Sequence, residues 1–548
     1  MKTSIAVIGM GCIFPEAMDL SEYWNNIVIG KDSIQEVPDS YWLQEDYYDK
    51  NKQKKDKTYS KRAGVVDDVL FDPFEFGIMP KDLESISVEQ IFALIVAKQA
   101  LIDAGMYGIN AKAFDREKTG VILAAGIGKN AFSLNARLQI PKYRKILRSS
   151  GVSEQLTEIV LKKIEDSEVE WTENSNPGYL PNVVAGRVAS RFNLYGTNCT
   201  VDAACASSFA ALKCAINELE SGDCDIVLTG GVNLDCSEFS FVSFCKTPAI
   251  SPHDQIRPFD KNADGMVLGD GVGMIVLKRL EDAERDKDKI YGIIRGIGAS
   301  GDGKGKGIFS PNVEGQIKAL QRAYIKSDVS PSTLSLIEAH GTGTRVGDNY
   351  EIEAINRFIG TDEIGHTIGI GSVKSQIGHT RLAAGVAGLI KVLLALHHKV
   401  QPGTLHVEEK SEQLENSCLD VIKKTRPWIV NNANPIRRAG VSAFGFGGTN
   451  YHVVLEEWKS EEKKEYRINS IAESIVLHGK TKKEIIEKCQ EMLKELETGR
   501  DLSKYYGAIK LQQKEKRLGF AATTVEEAKQ KIQISLKKLE ENIDVKEW

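Results

Sequence analysis

Short β-branched runs alternate with helix-length segments along most of this chain. Apolar runs stand at residues 5–8, 121–124 and 226–228, and again at 274–277, 290–295 and 336–338. Runs this short and this apolar, bounded by turn residues, fit strands buried on both faces. Helical spacing fills the intervals, most clearly at 207–220 and 382–396. The alternation predicts an α/β fold, mainly parallel sheet sandwiched by helices.

The 382–396 segment is interrupted by Lys391 and falls short of the roughly 20 residues that cross a bilayer, so it reads as a core helix. The apolar start at Ile5 is short, glycine-broken and without a small-residue cleavage site, and reads as a buried first strand rather than a secretory signal. After Trp458 the composition shifts to Lys and Glu. An amphipathic helix at 481–497, a strand at 518–522 and a helix from Thr524 to Asn542 predict a small α/β appendage.

A chain of 548 residues exceeds one ordinary domain, so one large body plus this appendage is expected. Its 71 basic and 76 acidic residues leave a net charge of −5, which gives no footprint for nucleic acid. Two charged insertions, 50–61 and 136–176, read by default as solvated surface, the second as a possible cap over the site's mouth. Nine cysteines, an odd number without zinc-type pairing, argue for a reducing compartment and no disulfide framework. Cys199, Cys214, Cys224, Cys236 and Cys245 read as packing residues.

Cys205 differs from them in its setting, Val201-Asp-Ala-Ala-Cys205-Ala-Ser-Ser-Phe209. It stands where a β-branched segment passes through small residues into a helix. Unpaired N–H groups at a helix start favour thiolate, so this position predicts a lowered thiol pKa. Alone, such a cysteine is more often a packing residue. Three other segments change the reading. Glu338-Ala-His340-Gly-Thr342-Gly-Thr344 follows a strand and offers a histidine and two hydroxyls. Gly371-Ser-Val-Lys374-Ser-Gln-Ile-Gly378-His379 follows another. Gly440-Val-Ser-Ala-Phe444-Gly-Phe446-Gly447-Gly-Thr-Asn450 has glycines on both sides of Phe446, where a main-chain N–H can be aimed. Nucleophile, oxyanion donors and an acid/base group are the parts of acyl transfer through a thioester.

In this order the segments resemble the β-ketoacyl synthases, or ketosynthases, of fatty acid and polyketide synthases. The likeness runs from Ile5-Ala-Val-Ile-Gly-Met-Gly-Cys-Ile-Phe-Pro15 to Asn450-Tyr-His-Val-Val-Leu-Glu-Glu457. It passes through Asn182-Val-Val-Ala-Gly-Arg-Val, Arg257-Pro-Phe-Asp260 and Gly301-Asp-Gly-Lys304. The resemblance implies a thiolase-like, duplicated five-layer α/β/α/β/α core, with halves at roughly 1–260 and 261–458 meeting near 250–272. A linker subdomain at 459–548 would lead to an acyltransferase, making the chain the front piece of a longer polypeptide.

The family further implies an acyl chain on Cys205, His340 and His379 as donors to a malonyl thioester, and electrostatic support from Lys374. Main-chain N–H groups of Cys205 and Phe446 would form the oxyanion hole, with Phe446 as a gate. Thr342 and Thr344 would hold the phosphopantetheine arm, with Phe444 and Gly447 on the substrate path. No directly bound cofactor or metal is implied, the arm belonging to an acyl carrier protein. Implied partners are that carrier, an acyltransferase or other synthase domains and a second copy of the chain, in the cytoplasm and without membrane insertion.

Departures include Asp-Ala-Ala-Cys-Ala-Ser-Ser in place of Asp-Thr-Ala-Cys-Ser-Ser-Ser, Gln376 for a common Asn, and Asn349 for a frequent Pro. The wording is most similar to iterative polyunsaturated-fatty-acid or glycolipid-type synthases. Two alternatives stay open. A non-elongating acyl-transfer or gating domain commonly lacks the cysteine or first histidine. A degradative thiolase would show a second cysteine near the Phe446 loop.

Overall fold

A computed structural model describes residues 3–459, except 110, 305–306, 308–309, 361–366, 416 and 431–433, together with 473–497, 502 and 515–541. Eleven strands form one hydrogen-bonded sheet: β1 Ile5–Ile13, β2 Thr119–Ala124, β3 Asn198–Val201, β4 Ile226–Asn233, β5 Gly271–Arg279, β6 Gly292–Gly301, β7 Leu336–Glu338, β8 Ile368–Gly371, β9 Leu419–Val421, β10 Arg438–Gly445 and β11 Thr449–Glu456. Their order is β9-β8-β7-β10-β11-β6-β1-β5-β4-β2-β3. Read outward from the β1/β6 junction, the two sides repeat: β5, β4, β2, β3 on one and β11, β10, β7, β8 on the other, with β9 added at the second edge. Each side has two antiparallel pairings followed by two parallel ones.

The sheet is therefore mixed rather than mainly parallel. Apolar runs report burial on both faces but carry no information on strand direction. Strand β5, residues 271–279, pairs with β4 and β1 and so lies among the strands on the first side of the sheet.

Alternation along the strands makes the layers. Val227 faces a central cluster, whereas Ile226 and Leu228 face an outer one. In β1 a bulge at Val7/Gly9 shifts the phase, so Ile5, Val7, Met10 and Cys12 all face the centre. Six helices pack on these faces: α1 Val88–Asp103, α2 Pro181–Phe192, α3 Ser207–Ser221, α4 Val313–Ser327, α5 Arg345–Ile359 and α6 Ala384–His398. The outer cluster of the first half uses α1 and α2, that of the second uses α4 and α5, and α3 with α6 fills the centre. Outer helices, sheet, central helices, sheet and outer helices give five layers. The apolar stretch Arg381–His398 is long enough to cross a membrane by length and composition, yet 89% of it is buried inside the protein.

The appendage has its own hydrophobic cluster around Ile475, Ile485, Met492, Phe520 and Ile532. Strand β12, Glu473–Gly479, pairs antiparallel with β13, Lys516–Ala522, beside helices α7, Lys482–Glu497, and α8, Val525–Glu540. Strand β12 has no counterpart in the sequence reading, and Asn542, the expected end of the last helix, lies outside the described residues. In the 136–176 insertion, Ile140–Ser149 and Glu154–Asp166 form helices tied by the Arg144–Glu158 and Arg148–Glu154 ion pairs. Cys224, Cys236 and Cys245 are buried, and Cys199 and Cys214 are half-buried against the core.

Candidate active site

Cys205 lies in the 3-10 turn Ala204–Ala206, between β3 and α3. Ala204 has a φ of 51°, a left-handed conformation that costs a non-glycine residue about 1–3 kcal/mol and needs outside support. That support is polar and local. Ala204 N donates to Asp202 Oδ1 at 2.8 Å, Ala203 N donates to Ser207 Oγ at 2.7 Å, and the Ser207 hydroxyl donates to Ala204 O at 2.6 Å. The braced turn presents the thiol half-buried at the start of α3.

The β10–β11 hairpin meets this turn from the other half. Its tip is residues 446–448, where Gly447 and Gly448 take φ values of 101° and 84°. Gly445 packs against the Cys205 turn so closely that a Cβ there would stand 2.3 Å from Ala203 O. As a result the Phe446 main-chain N–H reaches the Cys205 sulfur, as does the N–H of Cys205 itself. The Phe446 ring is exposed, and Gly447 is exposed beside it.

His340 follows β7 on a loop folded over carboxylates from the next helix. Glu351 on α5 accepts N–H bonds from His340 at 2.8 Å and Gly341 at 2.9 Å, and Asp348 accepts from Gly343 at 3.2 Å and Phe259 at 2.9 Å. Burial pushes both acids up to about 7, against the pull of the N–H groups they accept. Thr342 and Thr344 share a hydroxyl–hydroxyl contact of 2.9 Å on the same loop. Phe444 sets its ring centroid 5.5 Å from that of His340.

His379 follows β8 by way of the short helix Lys374–Ile377. Its main-chain N–H donates to Val267 O at 2.7 Å. Its Nδ1 accepts the main-chain N–H of Arg381 at 3.1 Å, so the neutral ring carries its proton on Nε2. The His340 and His379 rings meet edge-on, centroids 5.5 Å apart and planes at 81°. Lys374 is buried, and burial lowers its pKa although Glu338, Glu351 and Cys205 oppose the shift.

Burial and the Lys374 charge hold both histidines well below the ordinary imidazole range, hence neutral at pH 7. Each ring also feels another positive or ionisable group, His379 for His340 and Arg381 for His379. The thiol reverses the expectation from its helix position. Burial raises the Cys205 pKa, and Lys374, the Phe446 N–H and Arg381 only reduce the rise. The helix-start argument weighed the local field and omitted the desolvation of the sulfur by the protein packed around it.

Cys205, Lys374, His340, His379 and Phe446 thus meet at one place, while Asp202, Ser207, Glu338, Asp348, Glu351 and Arg381 form a supporting shell that the sequence reading did not identify. Two carboxylates three residues apart in Gly347-Asp348-Asn-Tyr-Glu351, on one helix face after a glycine-rich loop, were the available signal.

Comparison with known proteins gives a consistent picture. Residues 2–283 match the family model for the β-ketoacyl synthase N-terminal domain, 291–408 the C-terminal domain, and 409–521 the ketoacyl-synthetase C-terminal extension. A polyunsaturated fatty acid synthase from Thraustochytrium sp. is 40% identical over 502 residues, covering 90% of this chain and 18% of that protein. Polyketide synthase PksN of Bacillus subtilis is 35% identical over 553 residues, covering 96% and 9%. The chain therefore spans less than a fifth of these relatives. Among solved structures, the ketosynthase from module 6 of the bacillaene synthase of Bacillus subtilis 168 matches with a TM-score of 0.70 and 31% identity, covering 98% of this chain and 85% of that one.

Proposed function

The chain belongs to the β-ketoacyl synthase family, and from that premise we propose that it condenses an acyl group held on Cys205 with a malonyl thioester carried by an acyl carrier protein. The observation that carries the reading is that one buried lysine, Lys374, acts on the Cys205 sulfur and on both histidines, while the Phe446 N–H reaches the same sulfur and the two imidazole rings touch.

In the first step the Cys205 sulfur attacks the acyl thioester and the carrier thiol leaves, taking up the proton that the cysteine gives up. Lys374 and the two main-chain N–H groups favour the developing thiolate, and the same N–H groups stabilise the tetrahedral oxyanion. One such donor contributes about 3 kcal/mol in comparable sites.

In the second step the malonyl thioester loses carbon dioxide, and its electron pair becomes an enolate. His379, protonated on Nε2, donates to the enolate oxygen, and His340 is its second donor. The enolate carbon attacks the acyl-cysteine, the β-ketoacyl product leaves on the carrier, and the Cys205 thiolate is reprotonated. Neutral imidazoles suit this step, since each supplies a hydrogen bond without quenching the enolate.

Thr342 and Thr344 are assigned to the carrier arm, Phe444 and Gly447 to the substrate path and Phe446 to a gate. The acyl substrates are of the polyunsaturated-fatty-acid or polyketide class, by likeness to the relatives above. Residues 1–458 would form the synthase and 459–548 a linker towards further domains, the whole acting as a cytoplasmic homodimer. No observation favours a non-elongating role, because the groups that such domains commonly lack are both present.

Intact-mass analysis tests the reading. Carrier-bound acyl thioesters of graded length, followed by malonyl carrier protein, should give an adduct on Cys205 and then a two-carbon-extended β-ketoacyl product, both absent in Cys205→Ala. A stable adduct that is never extended would instead mark a transfer domain.

A further inference from the structure

His379 depends on a residue that neither the motif nor the proposed chemistry accounts for. Arg381 supplies the N–H that His379 Nδ1 accepts, and to do so it holds a φ of 45°, in the left-handed region that non-glycine residues avoid. Something must hold the backbone there. The Arg381 side chain is 6% exposed and spans into the first half of the fold. Its Nη1 donates to Ser240 Oγ at 3.0 Å and lies 3.5 Å from Asp235 Oδ2, and its Nη2 stands 3.8 Å from Asp270 Oδ1. The Asn233 amide oxygen, in the orientation that satisfies both groups, accepts from Nε at 3.1 Å and Nη2 at 2.7 Å. Asp270 is fixed in turn by the Tyr41 hydroxyl at 3.2 Å. A planar guanidinium gripped on several edges has little rotational freedom, unlike a lysine or a neutral chain.

We propose that this guanidinium clamp is a positioning device: by anchoring the Arg381 side chain across the two halves, it holds the left-handed backbone whose N–H fixes His379 as the Nε2–H tautomer. The inference rests on the reading of His379 as a donor to the enolate. Arg381 touches no reacting atom; its charge also bears on Cys205 and His379, but both substitutions below remove that charge alike, so the difference between them reads the backbone role alone.

Glycine separates the clamp from a general structural role, because it takes positive φ without an anchor. In Arg381→Met the strain remains and the anchor is gone. The 15N signature of an acceptor Nδ1 at His379, assigned in histidine-labelled protein by its loss in His379→Gln, should then give way to that of mixed tautomers. Malonyl carrier decarboxylation should fall by about tenfold or more. Arg381→Gly should regain the signature and most of the rate. The proposal is overturned if Arg381→Met keeps both, or if Arg381→Gly melts like the wild type yet is as impaired as Arg381→Met. The spectroscopic arm needs no substrate. Failure of the wild type to decarboxylate would sink the reading of the site, while the tautomer result would still decide the clamp.

Discussion

Lys391 donates to Glu338 at 2.6 Å in the middle of the fold, with both side chains 2% exposed. The lysine interrupts the apolar stretch of α6, and the acid stands two residues before His340. The other oxygen of Glu338 accepts the Val373 N–H at 2.7 Å, next to Lys374. One ion pair therefore joins the ends of β7 and β8, the two strands that deliver His340 and Lys374. Breaking a buried pair leaves an uncompensated charge at a cost of about 3–5 kcal/mol, whereas removing both charges is often near neutral. Lys391→Met is expected to destabilise by that amount in denaturant unfolding. Adding Glu338→Gln should restore most of it, since glutamine still accepts from Val373.

Because burial raises the thiol pKa, alkylation of Cys205 by iodoacetamide should still be climbing at pH 9, the ordinary value for a free thiol. Lys374→Met removes the largest opposing charge and should push the rise further up. Peptide mass spectrometry across pH reads both curves, and a plateau reached by pH 8 would restore the helix-start account.

The histidines carry the opposite sign. A base held below its usual pKa stays neutral at pH values where a free imidazole is protonated. Malonyl decarboxylation should therefore show no acid limb near 6.5 but one displaced well below it. Lys374→Met relieves the repulsion, raises the imidazole pKa values and should move that limb upward.

Gly445→Ala tests the meeting of hairpin and nucleophile turn. The new methyl would press against Ala203 O and Thr449 Oγ1, so the Phe446 N–H must move away from the sulfur. Losing one oxyanion donor predicts a fall of about 10²–10³ in Cys205 acylation. Circular dichroism and the melting transition check that the fold is retained.

The sequence made the helix-strand alternation legible because core strands and helices differ in length and period. It made Cys205, His340, His379 and Phe446 visible because each stands among glycines or small residues near an apolar run, whereas Lys374 came only with the family resemblance. It hid Glu338, Asp348, Glu351 and Arg381 because a charged residue in a sequence reads as surface, and only the fold shows these four to be buried; Lys391 stood out in an apolar helix, but its partner did not. Strand direction escaped for a related reason: an apolar run looks the same read either way. Strand β12 was missed where Glu473, Ser474 and His478 dilute a short apolar run. The direction of the thiol shift depended on how far the site closes, which no local pattern encodes.

The junction of β1 with β6 gives the chain an internal test of its own completeness. Cys205 belongs to the first half, whereas His340, Lys374, His379 and the Phe446 N–H belong to the second. Ser208 Oγ accepts the Val386 N–H at 3.0 Å where the two central helices meet. A nascent chain with only its first half folded exposes a bare cysteine with neither lysine nor oxyanion donors from the second half. If Cys205 is the acylated residue, as proposed, its loading should require both halves, because Lys374 and the Phe446 N–H reach its sulfur only from the second.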